Sequence, residues 1–361
     1  MKIRSEFSLP GRSYAGHITD IAPDVLDCSM GENPYGFPPV AGDALTSFDV
    51  ARLAHYPHDR SAIEAIVNHW KDYSAFAAEN LIMTEGSIGA IYLLNKLFTH
   101  GSKVVGLNPT FTDTTGDCIM AGLNFCGIPM ENDDFFARIE SIEAAIDDAT
   151  AYVYVVNPHN PTGQTFPVSG LERLAVRAGR ANAILVVDEA YGDFISQRES
   201  ALTVWHKYDN VIVIRSFSKG FGLSGLRVGY IVAPESIVRC LAKVSNPYMV
   251  NEPSRAVIAA ALKDPNWPLE HMNDFVSMKR ELVACTGHNL TVLPTDERVP
   301  VCTLRHRDST VDLQRLLYDA GVMTVSGAEF DTLNASFVRL RIPQIRDAER
   351  LFRAVRAVDL G

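Results

Sequence analysis

Short, continuous runs of β-branched and other apolar residues recur through the middle of the chain, with amphipathic segments between them. The runs near residues 103–107, 151–156, 183–188 and 210–215 have the length and composition of strands buried on both faces. The segments between them, such as SGLERLAVRAGR, have the pattern of helices, and crossover helices join parallel strands. We therefore expect an α/β fold with a mostly parallel central sheet and helices on both faces.

The pattern changes after about residue 245. Two helical stretches, SRAVIAAALK and HMNDFVSMKRELVACTG, lead to the strand-like FVRLRI and a terminal helical AERLFRAVRAV. The chain has 361 residues, enough for one large domain or two modest ones. We expect a large domain over residues 41–245 and a smaller α+β domain formed by residues 1–40 and 246–361.

Composition excludes several classes of partner. The formal net charge of −10 argues against a nucleic-acid or anionic-membrane partner. The first residues contain no apolar run that could serve as a signal peptide, and no stretch approaches the ~18 apolar residues of a membrane span. The six cysteines are scattered, without a CxxC pair or a His/Cys cluster at metal-ligand spacing. We expect a cytoplasmic protein with reduced cysteines, no metal and no membrane partner.

Polar clusters follow the four predicted strands at the ends where a parallel sheet binds ligands. NPTFTD follows the first strand, NPHNPTG follows the second, DEAY closes the third and SFSK follows the fourth. Because the carboxyl ends of parallel strands meet at one edge of a sheet, these clusters predict a single site.

Lys219 lies in the last cluster, within SFSKGFGLSGLRVGY, directly after the buried run NVIVIRS. Partial burial lowers the pKa of a lysine and makes its neutral amine available for a Schiff base. The hydroxyls of Ser216 and Ser218 and the guanidinium of Arg227 could bind a phosphate group nearby.

Other residues of these clusters suit an aromatic, phosphorylated ligand. Asp188 ends a buried strand, where an unpaired carboxylate is costly, and a pyridinium nitrogen would be a cationic partner. Tyr191 could offer a phenol, and Asn160 an amide, to the same ring. Phe111 could stack on that ring.

Gly86 and Ser87 lie in TEGSIGAIYLL at the predicted start of a helix, where backbone N–H groups favour a phosphate. Each of these features alone is more often structural: a helix cap, an ordinary turn or a solvated side chain. Together, at consecutive strand ends, they describe one ligand, a phosphorylated and hydroxylated pyridine aldehyde.

The segment SFSKGFGLSGLRVGY resembles the lysine signature of the class I/II aminotransferases of fold type I, which use pyridoxal 5′-phosphate (PLP). The resemblance extends along nearly the whole chain, through GENPYGFPP, YPHDRS, GSIGAI, NPTF, NPHNPTG, DEAY and FVRLRI. GENPYG and YPHD point toward the branch that contains the histidinol-phosphate aminotransferases and threonine-phosphate decarboxylases. The resemblance therefore implies the fold type I PLP-transferase fold, with a small domain that closes over the active site.

The resemblance also implies roles for individual residues. Lys219 forms the Schiff base with PLP and later moves the proton between Cα and C4′. Asp188 keeps the pyridine nitrogen protonated, so that the ring acts as an electron sink. Tyr191 and Asn160 hydrogen-bond the ring hydroxyl, and Phe111 stacks on the ring. The phosphate is implied to bind Gly86, Ser87, Ile88, Ser216, Ser218 and Arg227.

Substrate and subunit contacts are implied in the same way. Tyr56 should reach a phosphate in the neighbouring subunit, which makes the enzyme a homodimer with its active site at the interface. Arg339 should pair with the substrate α-carboxylate, and Asn33 should lie near it. Tyr14 and His17, in the unusual stretch LPGRSYAGHITD, are candidate substrate contacts, although a structural or exposed role is more common for such residues.

The chain departs from the family pattern at the substrate end. In histidinol-phosphate aminotransferases an arginine before the last strand grips the substrate phosphate, and here Val325 occupies that segment, which argues against histidinol phosphate as substrate. Arg341 shares a strand face with Arg339. It is either partly exposed or ion-paired, or a second anion contact. Asp113 is either a surface carboxylate or a partner for a basic substrate side chain.

We expect a PLP-dependent aminotransferase that exchanges an amino group between an amino acid, or an amino-alcohol phosphate, and a 2-oxo acid. The alternative is other PLP chemistry: threonine-phosphate-type decarboxylation, elimination or O2-dependent oxidation. A catalytically dead relative predicts the loss of Lys219, Asp188 or Arg227, and all three are present. A nicotinamide-binding enzyme predicts a GxGxxG after a strand, and none occurs.

Overall fold

In the computed structural model of the protein, the described residues are Glu6, 21–130 and 135–361. Tyr14 and His17 lie outside these ranges. The strands are β1 (Leu26–Asp27), β2 (Leu81–Thr84), β3 (Lys103–Asn108), β4 (Asn124–Pro129), β5 (Thr150–Val156), β6 (Ile184–Glu189), β7 (Val211–Ser216), β8 (Gly229–Val232), β9 (Leu290–Val292), β10 (Val301–His306), β11 (Val322–Met323), β12 (Val325–Ser326) and β13 (Phe337–Arg341).

Helices alternate with these strands. They are α1 (Pro39–Thr46), α2 (Ser61–Trp70), α3 (Gly86–Asn95), α4 (Thr112–Met120), α5 (Ile139–Ala145), α6 (Val168–Arg180), α7 (Glu235–Val244), α8 (Glu252–Ala261), α9 (Met272–Ala284), α10 (Leu313–Asp319) and α11 (Ala348–Leu360). Within the described ranges, no helix combines the length and the apolar character that a membrane crossing requires.

The central sheet has seven strands in the order β2-β8-β7-β6-β5-β3-β4. The five strands from β7 to β4 pair in parallel, whereas β8 pairs antiparallel with both β2 and β7. The predicted α/β fold with a mostly parallel sheet is confirmed. The four strands predicted from the sequence are β3, β5, β6 and β7, which are neighbours in the sheet, so their carboxyl ends lie side by side.

Both faces of the sheet are buried, which explains the continuous apolar runs. Alternate side chains point to opposite faces of a strand. On one face Val153 and Val187 pack with Leu174 of α6, and on the other Val186 packs with Leu94 of α3. The strands thus have no polar face that alternation could reveal, in agreement with parallel strands covered by helices.

A second, antiparallel sheet has the order β12-β13-β10-β9, and α9 and α11 pack with it in a separate apolar cluster. β1 joins this part of the molecule by pairing in parallel with β11, where Leu26 lies opposite Val322. Leu26 and Cys28 therefore share one core with the C-terminal third of the chain. The domain boundaries at residues 40 and 245 stay a prediction.

A buried ionic cluster ties β6 to β7 just behind their carboxyl ends. Nη1 of Arg215 lies 2.7 Å from Glu189 Oε2, and its other terminal nitrogen pairs with Asp193. The guanidinium also stacks over Trp70, 4.9 Å from the ring centroid. The side chains of Arg215 and Glu189 are 3% and 0% exposed. Buried charges of this kind are stable only when paired, so the cluster fixes the two strand ends relative to each other.

Replacing Arg215 with methionine would leave two buried carboxylates without their counter-charge. We expect Arg215→Met to lower the free energy of unfolding by about 3–5 kcal/mol, measured by denaturant titration of the cofactor-free protein. The matched control is Arg173→Met. Arg173 also contacts two carboxylates, Glu140 and Glu143, but at the surface, where ion pairs contribute little. Equal losses for the two variants would contradict the structural role of the buried cluster.

Candidate active site

A cavity of about 470 Å³ opens where the carboxyl ends of β3, β5, β6 and β7 meet. It brings together nine of the residues predicted from the sequence: Ser87, Ile88, Phe111, Asn160, Asp188, Tyr191, Ser218, Lys219 and Arg227. The sheet topology explains this convergence, because each of the four strands delivers its following loop to the same edge.

At one corner of the cavity, the start of α3 lies close to the guanidinium of Arg227. α3 begins at Gly86, whose φ of +72° lies in the left-handed region, and Arg227 also has a left-handed backbone. A Cβ atom at Gly86 would lie 2.6 Å from Nη2 of Arg227, so only glycine lets the guanidinium approach the helix start. The first N–H groups of α3, near Ser87 and Ile88, and the guanidinium therefore form one anion-binding corner.

Two serine hydroxyls complete this corner. Ser216 Oγ donates to Ser218 Oγ over 2.9 Å, and Nη1 of Arg227 lies 3.4 Å from the same Ser218 oxygen. Arg227 is held further by the carbonyl of Ser224, 3.0 Å away. Hydroxyls, a guanidinium and backbone N–H groups are the donors that a phosphate requires, so the corner fits the phosphate of PLP.

Asp188 lies in the opposite part of the cavity and is 2% exposed. Its Oδ2 accepts from the hydroxyl of Tyr154 at 2.7 Å, and its Oδ1 accepts from the N–H of Ala190 at 3.0 Å. Burial raises the pKa of Asp188 to about 6, against the opposing effects of these hydrogen bonds and of Lys219. A cationic ring nitrogen would offset the cost of this buried charge, so Asp188 fits the pyridinium of PLP.

Tyr154 is a site residue that the sequence reading missed. Its hydroxyl accepts a hydrogen bond from Thr114 Oγ1 at 3.0 Å and donates one to Asp188 Oδ2 at 2.7 Å. Burial and the neighbouring carboxylate raise the pKa of Tyr154 well above its usual range, so it stays a neutral donor. Alternation along β5 places Tyr154 on the same face as the cavity residue Val156, but it does not show that the phenol contacts Asp188.

Lys219 and Tyr191 lie next to each other. The Lys219 amine is 5.7 Å from the centroid of the Tyr191 ring, and both residues line the cavity. Tyr191 is buried, and a Cβ atom at Gly31 would lie 1.8 Å from its hydroxyl, so the GENPYG segment must pass close to this phenol. The half-buried lysine therefore projects into the cavity beside a fixed phenol.

Asn160 lies in the tight turn between β5 and α6. Its Oδ1 is buried and has no hydrogen-bond partner among the described residues. Phe111, Val156 and Ala190 supply apolar surface to the same cavity. An unsatisfied amide beside apolar walls suits a flat ring with a polar substituent, which again agrees with PLP.

Arg339 and Asn33 lie behind the cavity lining rather than in it. Nη1 of Arg339 is 3.4 Å from the Tyr191 hydroxyl, and its Nη2 donates to the carbonyl of Ser29. Asn33 donates from Nδ2 to the carbonyl of Gly220, 2.7 Å away, next to Lys219. Both side chains thus contact the immediate neighbours of the site, and their substrate roles stay predictions.

Tyr56 lies at the surface of the single chain, 73% exposed, with its ring stacked on Tyr248 at 5.0 Å between centroids. Its predicted contact with a neighbouring subunit stays a prediction.

The remaining candidates at the substrate end occupy different environments. Arg341 is buried rather than partly exposed, and its Nη2 donates to the carbonyl of Asp27. Val325 is fully buried and lies directly opposite Arg339 in the β12–β13 pairing. Asp113, in the first turn of α4, lines the cavity.

Several cavity residues gave no signal in the sequence. Met30, Glu32, Ser224 and Gly225 line the cavity. Glu32 accepts a hydrogen bond from Ser224 Oγ at 3.1 Å, which links the GENPYG segment to the loop after Lys219. Within the described ranges, no group of three or more His, Cys, Asp or Glu side chains could hold a metal ion.

Comparison with known proteins agrees with this geometry. The family model for aminotransferases of class I and II matches residues 23–358. The chain is 31% identical over 279 residues to a histidinol-phosphate aminotransferase of Haloquadratum walsbyi, covering 76% of this chain and 72% of that protein. It is 26% identical over 342 residues to one of Methanococcus maripaludis, covering 92% and 90%.

Solved structures share the fold. The histidinol-phosphate aminotransferase of Clostridium acetobutylicum superposes with a TM-score of 0.82 at 21% identity, covering 93% of this chain and 99% of that one. The enzyme of Sinorhizobium meliloti in complex with PLP gives 0.82 at 21% identity, covering 99% and 98%. The L-threonine-O-3-phosphate decarboxylase of Porphyromonas gingivalis gives 0.78 at 18% identity, covering 93% and 100%.

The fold and the cavity thus define a PLP-dependent transferase of fold type I. The chain belongs to the class I and II aminotransferase family. It is a PLP-dependent aminotransferase, and the resemblance drawn from the lysine signature is confirmed in fold, cofactor and reaction class.

The buried Asp188 should reduce the stability of the cofactor-free protein, because its hydrogen bonds and Lys219 compensate only part of the effect of burial. The pKa of Asp188 in the folded protein is raised to about 6 from 3.8, so folding favours the protonated carboxyl. The stability that depends on this protonated form is fully present below pH 4 and is lost as the pH rises through 6. We expect Asp188→Asn to raise the melting temperature of the cofactor-free protein at pH 8 and to leave it nearly unchanged at pH 4.

The same substitution should weaken PLP binding and reduce turnover, because a neutral amide cannot hold the charged ring nitrogen. A cofactor-free Asp188→Asn protein less stable than wild type at pH 8 would contradict this assignment.

Proposed function

We propose that Lys219 is the residue that holds PLP covalently and then carries the proton between the substrate Cα and the cofactor. The observation that carries this proposal is the Lys219 amine in a cavity that also contains an anion corner and the buried Asp188. When bound, PLP withdraws electrons from the substrate Cα–H bond into its protonated ring. Lys219, once freed by the incoming amine, would be the base that takes the proton from Cα and delivers it to C4′ of the cofactor, on the other side of the imine nitrogen.

Asp188 acts by keeping a proton on the ring nitrogen. Its two oxygens are already fixed by Tyr154 and by the N–H of Ala190, so the carboxylate is oriented before the cofactor arrives. Preorganised groups of this kind need no rearrangement during the reaction. Tyr154 is thus a positioning residue for Asp188, and Thr114 orients the phenol in turn.

Tyr191 and Asn160 donate hydrogen bonds to the ring hydroxyl, and Phe111 packs on the face of the ring. The phosphate binds to the corner described above, formed by Gly86, Ser87, Ile88, Ser216, Ser218 and Arg227. These donors fix one end of the cofactor, so that the other end meets Lys219.

Arg339 is the proposed partner of the substrate α-carboxylate. It is a buried guanidinium beside Tyr191, and a planar fork of N–H donors matches a carboxylate in two parallel hydrogen bonds. Asn33 steadies the lysine loop next to it through the carbonyl of Gly220. Tyr14, in the N-terminal segment outside the described residues, remains a proposed substrate contact.

The amino donor is proposed to be an α-amino acid rather than a phosphorylated amino alcohol. The relatives named above act, by their names, on histidinol phosphate, yet Val325 gives this chain a buried apolar side chain opposite Arg339. No arginine is therefore present at this position to bind a substrate phosphate, which supports a substrate without one. Decarboxylation, elimination and oxidation are not favoured by the relatives, most of which are aminotransferases by name.

The active enzyme is proposed to be a homodimer. Exposed apolar side chains are concentrated in the segment from residue 37 to residue 56: Phe37, Leu45, Val50, Leu53 and Tyr56. A second copy would cover this surface and would bring Tyr56 to the phosphate of its neighbour. Exposed apolar side chains that lie together are typical of subunit interfaces, and these five fall within twenty residues of the sequence.

The small domain of residues 1–40 and 246–361 is proposed to close over the large domain of residues 41–245 when substrate binds. Arg339 comes from the first unit and Lys219 from the second, so closure would complete the site. A cytoplasmic location is proposed because all six cysteines are free thiols.

The reaction is tested by an anaerobic absorbance scan of the holoenzyme with a panel of amino acids and phosphorylated amines. We expect one amino acid to convert the bound cofactor to its pyridoxamine form, and a 2-oxo acid to restore the original spectrum. Lys219→Ala is the control and should lose the wild-type absorbance band. Spectral changes that require air, or release of CO2 without the pyridoxamine form, would contradict transamination.

The role of Arg339 is tested against its neighbour on the same strand face. We expect Arg339→Gln to lower kcat/KM for the amino acid by about tenfold to a hundredfold, as the loss of hydrogen bonds to a charged group would. Arg341→Gln is the matched control and should leave kcat/KM close to wild type. Unchanged substrate affinity in Arg339→Gln would remove this residue from the substrate site, and an equal loss in Arg341→Gln would indicate a second anion contact.

A further inference from the structure

Lys279, on α9, is a buried lysine that none of the roles above uses. It is 2% exposed. Its ammonium group donates to Thr295 Oγ1 at 2.7 Å, to the Asp296 carbonyl at 2.7 Å and to the Val301 carbonyl at 2.8 Å. A lysine has three N–H donors and no acceptor, so these three oxygens use its full hydrogen-bonding capacity.

The three hydrogen-bond acceptors of Lys279 are all uncharged. A buried ammonium without a contacting carboxylate is costly, and burial lowers the pKa of Lys279 to about 8. A methionine would fill a similar volume without this cost. What Lys279 adds is therefore not apolar stability but the fixed position of three oxygens, which belong to the two ends of the segment 295–301.

This segment packs against the turn that follows β5. Gly163 accepts a hydrogen bond from the N–H of Asp296 at 3.0 Å. A Cβ atom at Gly163 would lie 2.2 Å from the Val301 carbonyl oxygen and 2.5 Å from Thr295 Oγ1. Two of the oxygens that accept hydrogen bonds from Lys279, Thr295 Oγ1 and the Val301 carbonyl oxygen, are therefore also the atoms packed against Gly163.

Further hydrogen bonds join the same two parts of the chain. Thr303 Oγ1, on β10, donates to the carbonyl of Pro161 at 3.0 Å. Thr165 Oγ1 donates to Asp296 Oδ2 at 3.1 Å. The turn formed by residues 160–163 is thus hydrogen-bonded to the C-terminal third at Pro161 and at Gly163. The first residue of this turn, Asn160, lines the cavity.

We propose that Lys279 is a positioning residue for Asn160. It fixes the segment 295–301 against the turn 160–163, and the turn in this position presents the Asn160 amide to the ring of the cofactor. The inference rests on the proposed role of Asn160. It adds a residue of the C-terminal third, outside the cavity, to the set that controls how the cofactor is held.

The test combines Lys279→Met with Asn160→Ala in a double-mutant cycle on the holoenzyme. The readouts are the PLP dissociation constant and the pH midpoint of the visible absorbance change of the bound cofactor. Asn160→Ala should raise this midpoint, because the ring oxygen becomes more basic when it loses a hydrogen-bond donor. Lys279→Met should raise it in the same direction by a smaller amount and weaken PLP binding several-fold.

The cycle identifies the route of the effect. If Lys279 acts through Asn160, Lys279→Met should cause no further shift of the midpoint in the Asn160→Ala background. Ile142→Ala, which truncates a buried side chain of α5 outside the segments 160–163 and 295–301, is the control for lost stability alone. It should lower the melting temperature and leave the midpoint unchanged. Thr303→Val, which removes only the hydrogen bond to Pro161, repeats the test if Lys279→Met does not fold.

Two results would overturn the proposal while leaving the function intact. One is a Lys279→Met protein that melts at a lower temperature but keeps the wild-type midpoint and PLP affinity. The other is a midpoint shift that persists in full in the Asn160→Ala background. If Asn160→Ala itself changes neither readout, the role of Asn160 fails and the inference fails with it.

Discussion

The site depends on one buried carboxylate, Asp188, which stands at the end of a strand covered on both faces. Only 2% of this residue is exposed, so water solvates the carboxylate poorly, and its direct hydrogen-bond donors are neutral, Tyr154 and the N–H of Ala190. Burial therefore raises its pKa, and a cationic ring nitrogen is the partner that makes the ionised form favourable. The buried carboxylate lowers the stability of the cofactor-free protein and at the same time provides a proposed partner for the cofactor. Such a loss of stability is common at active sites.

The parallel sheet places the Asp188 carboxylate next to the other residues of the proposed site. Asp188 is the penultimate residue of β6, and the neighbouring β7 leads into the loop that carries Lys219, so the proposed partners of the ring nitrogen and of the aldehyde come from adjacent strands. The cluster around Arg215 joins these two strands just behind the site. At the other side, Gly86 allows Arg227 to approach the start of α3, which forms the proposed phosphate corner. The proposed site would thus hold the cofactor at three points.

Much of this arrangement could be predicted from the sequence, because it is local. The apolar runs of β3, β5, β6 and β7 and the polar clusters after them are each contained in a few consecutive residues. The strands β2, β4 and β8 gave weaker signals: β2 and β8 are only four residues long, and β4 is partly exposed and contains glycine and proline. The antiparallel insertion of β8 between β2 and β7 is a matter of strand order, which periodicity does not encode.

The parts that could not be predicted depend on contacts between distant segments. Tyr154 is indistinguishable from a core tyrosine until the pairing of β5 and β6 brings it to Asp188. Lys279 lies more than a hundred residues from the turn that it supports, and nothing in its helix indicates that its ammonium is buried. Arg341 shares a face with Arg339, as alternation predicted, but only the folded chain shows that it binds the carbonyl of Asp27.

A crystal structure of the protein with PLP tests the central claim most directly. We predict continuous electron density between Lys219 and the cofactor, with the ring nitrogen within hydrogen-bonding distance of Asp188 and the phosphate between Arg227 and the start of α3. A cofactor whose ring nitrogen faces away from Asp188, or that is bound without a link to Lys219, would contradict the account.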